Sequence, residues 1–143
     1  MQKVELRVKV GVGVVIRKAG EILLIKRAGS RGAGTWAPPG GHLDFGESVF
    51  ECAKREVMEE VGTQIKDLRV IGFTQDIFKK PKGHYITIWV SSAWKSGKIK
   101  PSDREFSEAR WFSPGKLPNP LFLPLKNFIK GSVLPETAPK NYF

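Results

Sequence analysis

From Val4 to Val14 apolar residues recur at every second position, separated by charged residues or glycine. A period of two predicts a strand over residues 4–17, kinked near Gly11 or Gly13. The turn Ala19-Gly20-Glu21 and the apolar run at residues 22–26 pair with it as a hairpin. Residues 28–35 carry three glycines and a serine and read as a loop. The next stretch is stiffened by Pro38-Pro39 and released by Gly40-Gly41. Two further strands are expected over residues 68–78 and 84–94, joined by the turn Lys79-Lys80-Pro81-Lys82-Gly83. A short strand at 109–112, a closing helix at 121–129 and a mobile tail over 133–143 complete the pattern. Strands on both sides of one strong helix point to an α/β (α+β) chain with a mixed sheet sandwiched by helices.

The strong helix spans residues 48–61. Ser48 with Glu51 three residues on has the spacing of a capping box, and Gly62 suits a left-handed ending. At about 100° per residue, Val49, Phe50, Ala53, Val57 and Val61 fall in one arc and predict the buried stripe. Glu56, Glu59 and Glu60 form a second stripe beside it, with Glu60 inside the edge of the buried arc. Like charges at this spacing destabilise a helix by about 0.2–0.5 kcal/mol per pair. A carboxylate moved towards a core costs several kcal/mol more unless it is paired. Lys54 and Arg55 offer the plain account, counter-ions on a solvated face. The shared direction of three hard oxygen ligands offers the other, a site for Mg²⁺ or Mn²⁺.

Composition narrows the setting. The chain has 143 residues, enough for one domain with one core over residues 1–143. No apolar run is long enough to span a bilayer, and residues 1–10 lack the continuous apolar stretch of a secretory signal. The expected location is the cytoplasm, with no membrane partner. The lone Cys52 forms no internal disulfide, and its place inside the helix argues against a nucleophile. A formal net charge of +10 favours an anionic partner (phosphates, nucleic acid or acidic lipid), with a merely solubilising surface as an equal alternative. The basic residues are scattered rather than gathered into a block with interleaved aromatics, so a dedicated nucleic-acid module is not favoured. His42 and His84 have no metal-ligand company at useful spacing.

Gly41, five residues, Glu47, seven residues, Arg55-Glu56-Val57, one residue, Glu59-Glu60, one residue and Gly62 resemble the Nudix box of the Nudix hydrolases. Seven of these eight residues, Val57 left aside, arise by chance at this spacing in about one of 10⁸ start positions, which makes the signal specific. Thr63 departs from the family's usual aliphatic residue at the end of the box (residues 41–63) and is expected only to tune packing. The resemblance implies an α/β/α sandwich with a loop–helix–loop motif, and water attacking a pyrophosphate bond. It implies that Glu56, Glu59 and Glu60 bind metal with the Gly40 carbonyl, and that Arg55 pairs with Glu47. Arginine suits that task because its fork grips a carboxylate at two points. A proton acceptor is also needed. By resemblance it is Glu105, six residues before Trp111, with Glu56 and Glu108 as rivals.

The likeness extends through Lys26-Arg27-Ala28-Gly29-Ser30, Gly40-Gly41-His42-Leu43-Asp44-Phe45-Gly46-Glu47, His84-Tyr85-Ile86-Thr87-Ile88 and Pro120-Leu121-Phe122 to a MutT-like subgroup. That subgroup converts nucleoside triphosphates, oxidised guanine forms included, to monophosphate and pyrophosphate, and is commonly dimeric. A plant branch accepts isoprenyl diphosphates. The resemblance places Arg27 on substrate phosphates. Thr87 and Phe78 are read as lining a base pocket and Leu121-Phe122 as covering it, although core packing is the stronger account for each of the four. The rival readings are hydrolysis of ADP-ribose, a dinucleoside polyphosphate or an RNA 5′ end, and a non-catalytic nucleotide-binding module. ADP-ribose hydrolases usually carry a proline after the box, and residues 63–77 contain none. A dead module would lose box glutamates, and Glu47, Glu56, Glu59 and Glu60 are all present.

Overall fold

The computed structural model describes residues 6–29, 31–100 and 106–131. Its elements run β1 (Val8–Lys18), β2 (Glu21–Arg27), β3 (Trp36–Ala37), β4 (Gly40–His42), α1 (Val49–Val61), β5 (Gln64–Phe78), β6 (Gly83–Ser96), β7 (Phe106–Phe112) and α2 (Leu123–Ile129). The main sheet has the order β3-β2-β1-β6-β5, with β4 added to β1 and β7 to β2. β1 and β6 are parallel, and the other pairs are antiparallel. This is the mixed-sheet fold expected from the sequence. No described helix is long and apolar enough to cross a membrane.

The alternation in β1 serves two cores. Val12, Val14 and Ile16 face the cluster that holds Cys52, Ala53, Val57 and Val61 of α1. Val15 faces the opposite cluster, with Trp89, Ile71, and Leu125 and Phe128 of α2. Helices therefore cover both faces. Leu6, Val8 and Val10 continue the same apolar period but stand exposed, because neither helix reaches that end of the strand.

Several expectations are corrected. β1 has no break at Gly11 or Gly13; it holds register with β6 from Val8 to Arg17. The 68–78 strand begins at Gln64, and register shifts at three places along its pairing with β6 blur its period of two. The 109–112 strand begins at Phe106. The closing helix begins at Leu123, with proline in its first turn. Leu121 instead bridges Trp36, and the neighbouring Phe122 N–H donates to the Trp36 carbonyl. Phe50 lies half in solvent, and the inward face of α1 carries Cys52 and Glu60 with Ala53, Val57 and Val61. The helix ends follow expectation: Ser48 and Glu51 form the capping box, and Gly62 sits at φ 68°. Thr63 does more than fill space, since its buried hydroxyl donates to the Ser96 carbonyl at 2.6 Å and ties the end of α1 to β6. Residues 133–143, expected to be mobile, lie outside the described residues.

Candidate functional site

β1 and β2 share only two ladder positions, Arg17–Ile22 and Lys18–Glu21. Beyond these they part: β1 pairs with β4, and β2 pairs with β3 and β7. The gap opens into a cavity of about 570 Å³. Glu56 and Glu60 line one end, Phe78, Tyr85 and Phe122 another, and Arg27 and Arg31 complete the wall. Gly11, Gly13, Gly40 and Gly41 leave backbone where side chains would otherwise close the space.

At the carboxylate end Arg55 is the organiser. Its Nε and Nη2 donate to the two oxygens of Glu47 at 3.0 and 2.7 Å. Its Nη1 donates to Glu56 Oε1 at 2.8 Å and Glu59 Oε2 at 3.3 Å, and Nη2 reaches the His42 carbonyl at 3.2 Å. The Glu47 carboxylate also accepts the Asp44 N–H at 2.9 Å. These bonds hold the Glu47 carboxyl down to about 2, with the Arg55 fork as the main cause. The guanidinium is held charged still more firmly in return, chiefly by Glu47. Glu56 moves the other way: burial raises its pKa, Arg55 opposes the shift, and the charge of Glu59 adds to it.

Glu60 is 6% exposed, and its Oε2 accepts the Gly40 N–H at 3.0 Å. A Cβ on Gly41 would stand 2.3–2.5 Å from the Glu56 carboxylate, so only glycine lets β4 lie against that side chain. Glu59 points outward to Arg55, with its side chain 59% exposed. Accordingly, no three acidic, histidine or cysteine side chains among the described residues are gathered tightly enough to hold one ion. Glu56 and Glu60 do converge beside the Gly40-Gly41 backbone. Carboxylate and backbone oxygens brought together in this way are the donor set that a hard divalent cation takes. Cys52 lies fully buried behind them, its Sγ donating to the His42 carbonyl at 3.4 Å. Burial and the neighbouring Glu47 push the thiol up to about 12, which makes it inert.

At the other end the Arg27 guanidinium lies 4.1 Å from the Phe122 ring centre, and its Nε donates to the Arg31 carbonyl at 3.0 Å. Arg31 stacks over Phe78 at 4.5 Å, and its Nη1 is buried without a hydrogen-bond partner among the described residues. Phe78 meets Tyr85 edge-on and Phe122 at a tilt, with centroids 5.7 and 5.5 Å apart. His42 stacks flat on Tyr85 at 5.6 Å, and burial lowers its pKa, with Lys9 adding to the shift. Thr87 lines the floor.

Of the residues singled out from the sequence, the fold brings Gly40, Glu56, Glu60, Arg27, Phe78, Thr87 and Phe122 to one cavity. Arg55 and Glu47 stand behind it as a brace. Leu121 is not in its wall but packs against the core beside α2. Glu108 pairs with Arg110 on β7 and does not line the cavity. Glu105 lies outside the described residues. Sequence reasoning missed Arg31, Tyr85, Trp89 and Asp76. Tyr85, Thr87 and Trp89 share one face of β6 at a period of two, a signal that was available. Arg31 gave none, because it sits in a glycine-rich loop.

The family model described as NUDIX domain matches residues 6–134. The chain is 35% identical over 113 residues to an ADP-ribose pyrophosphatase of Methanocaldococcus jannaschii, covering 79% of this chain and 66% of that one. It is 32% identical over 105 residues to the NAD-capped RNA hydrolase NudC of Pseudomonas aeruginosa, covering 73% of this chain and 36% of that protein. The chain thus spans just under two thirds of the archaeal relative and little more than a third of the bacterial one. Among solved structures, a MutT NUDIX hydrolase from Burkholderia pseudomallei superposes with a TM-score of 0.76 at 30% identity, over 80% of this chain and 90% of that one.

Proposed function

The chain belongs to the Nudix hydrolase family, enzymes acting on phosphorus anhydrides, and from that premise we propose that it cleaves a nucleoside diphosphate linked to a further group, ADP-ribose and NAD first among them. One observation carries the reading: a single cavity joins carboxylates at one end to an aromatic cluster at the other, with two arginines in its wall. Aromatic faces stack on a base, guanidinium forks take phosphates, and buried carboxylates take a divalent cation. The names of the archaeal and bacterial relatives support the leaving group, and they outweigh the missing proline after the box.

Glu56 and Glu60 would hold a Mg²⁺ (or Mn²⁺), with the Gly40 carbonyl and with Glu59 once it turns from Arg55. When bound, the ion supplies Lewis-acid polarisation of the phosphate oxygens and a more acidic water. Arg27 and Arg31 bind and orient the diphosphate. The oxygen of water joins one phosphorus, the P–O–P bond breaks, and two phosphate monoesters leave. Glu56, the least solvated carboxylate open to the cavity besides Glu60, takes the proton of water in this reading. Arg55 and Glu47 fix the angle of the helix against the loop of residues 43–48. A second reading, release of pyrophosphate from nucleoside triphosphates, draws on the 30% identity to the MutT structure.

The test is turnover with Mg²⁺ of ADP-ribose, NAD, a dinucleoside tetraphosphate and the common and oxidised dNTPs, with products resolved by phosphorus NMR and Glu60→Gln in parallel. AMP from ADP-ribose or NAD, lost at least about 100-fold in the variant, is the expected result. Pyrophosphate from triphosphates alone would replace the first reading by the second.

A further inference from the structure

Asp76 is a fully buried acid on β5 that the proposed chemistry does not use. Its Oδ2 accepts the Thr87 hydroxyl at 2.5 Å and the Thr74 hydroxyl at 3.2 Å, and its Oδ1 accepts Asn127 Nδ2 at 2.9 Å. Trp89 Nε1 in turn donates to Thr74 Oγ1 at 3.0 Å. The direction of this chain is fixed. An indole N–H can only donate, so Thr74 must accept there and spend its own proton on Asp76. Thr87 spends its proton on the same oxygen.

Thr87 is the member that meets the cavity. It lies opposite Gly11 in the β1–β6 ladder, and its Oγ1 would be 3.9 Å from a Cβ placed there, so no side chain screens it. With its single proton committed below, the hydroxyl shows the cavity only lone pairs. The floor beside the aromatic cluster is thus an acceptor, although threonine by itself could donate or accept.

We propose that Asp76 is a positioning residue that sets the hydrogen-bond polarity of Thr87, so that the cavity selects a base presenting an N–H to its floor, such as the amino group of adenine. This rests on the reading of the cavity as a nucleotide site and adds the edge of the base it reads. A base lacking that N–H leaves a buried hydroxyl oxygen unmatched, which weakens binding by about tenfold.

Calorimetry with AMP and with purine riboside 5′-monophosphate, which differ by one amino group, tests this without turnover. The protein should favour AMP by about tenfold, Thr87→Ser should keep that ratio, and Thr87→Val should bring it below about twofold. Asp76→Asn should also lower it, because an amide in that place can donate to Thr87 and turn the hydroxyl proton towards the cavity. Near-ultraviolet circular dichroism confirms that each variant is folded; if Thr87→Val is not, the contrast of Thr87→Ser with Asp76→Asn decides. Equal binding of both nucleotides, or a ratio unmoved in Thr87→Val, overturns the proposal alone. Binding of neither overturns the nucleotide reading with it.

Discussion

Two buried acids, Glu60 in the cavity wall and Asp76 behind Thr87 of its floor, are settled by different means. Glu60 on α1 accepts the Gly40 N–H and lies beside Glu56, which shares Arg55 with Glu47 and Glu59. Asp76 on β5 stands among hydroxyls and an amide. Among the described residues the first neighbourhood gathers several carboxylates around one arginine, a setting suited to a further cation. The second is satisfied by neutral donors within the fold and gains nothing from one. Burial of a carboxylate is therefore not in itself the mark of a metal site; what surrounds the carboxylate decides.

Arg55→Ala is the severest challenge to this contrast. It strips the brace from Glu47 and leaves Glu56 and Glu59 unscreened. Activity is expected to fall about 10- to 100-fold and the urea midpoint to drop, while the AMP-over-purine binding ratio at the other end stays unchanged. A shift in that ratio would show that the two ends are not independent. Paired glycine substitutions sharpen the point. A Cβ on Gly13 would stand 2.6 Å from the Trp89 ring, and one on Gly41 would meet the Glu56 carboxylate. Gly13→Ala is expected to cost about 1–3 kcal/mol of stability by overpacking a rigid ring. Gly41→Ala should displace a side chain that can move, and so lower kcat more than the unfolding free energy.

The smallest effects lie in the pH dependence of stability. Glu47 titrates near 4.5 when unfolded and near 2 when folded. Its contribution is full above about 4.5 and is lost as pH falls through about 2. Cys52 shifts from 9.0 to about 12, so its contribution is full below 9.0 and is lost as pH rises towards 12. Urea titrations across pH should lose the acid-side term in Arg55→Ala and keep the alkaline one. Alkylation of Cys52 at pH 9 should require unfolding.

The carboxylate end was legible in the sequence because its residues lie on one helix and the loop before it. Ser48, Glu51 and Gly62 mark the ends of α1, and the period of 3.6 residues fixes which glutamates share a side. Even there local spacing misled at Phe50, whose place in the apolar arc did not reveal that it lies half in solvent. The aromatic end was only partly legible. Phe78, Thr87 and Phe122 were picked out singly, and Asp76 was not, although it meets Thr87 across a regular stretch of β5–β6 pairing next to the turn; its other partner, Asn127, comes from α2, 51 residues away. No periodicity along β5 would point to a partner on a helix that distant in the chain.

The parallel pairing of β1 with β6 also governs when the cavity comes into being. The Ser92 hydroxyl on β6 donates to the Val15 carbonyl on β1, 77 residues earlier in the chain. The floor that carries Thr87 and Trp89 beside Gly11 and Gly13 is therefore a contact of high sequence separation, closed against a long stretch of chain entropy. A nascent chain that has not yet delivered β6 holds every glutamate of the carboxylate end and no cavity in which to use them.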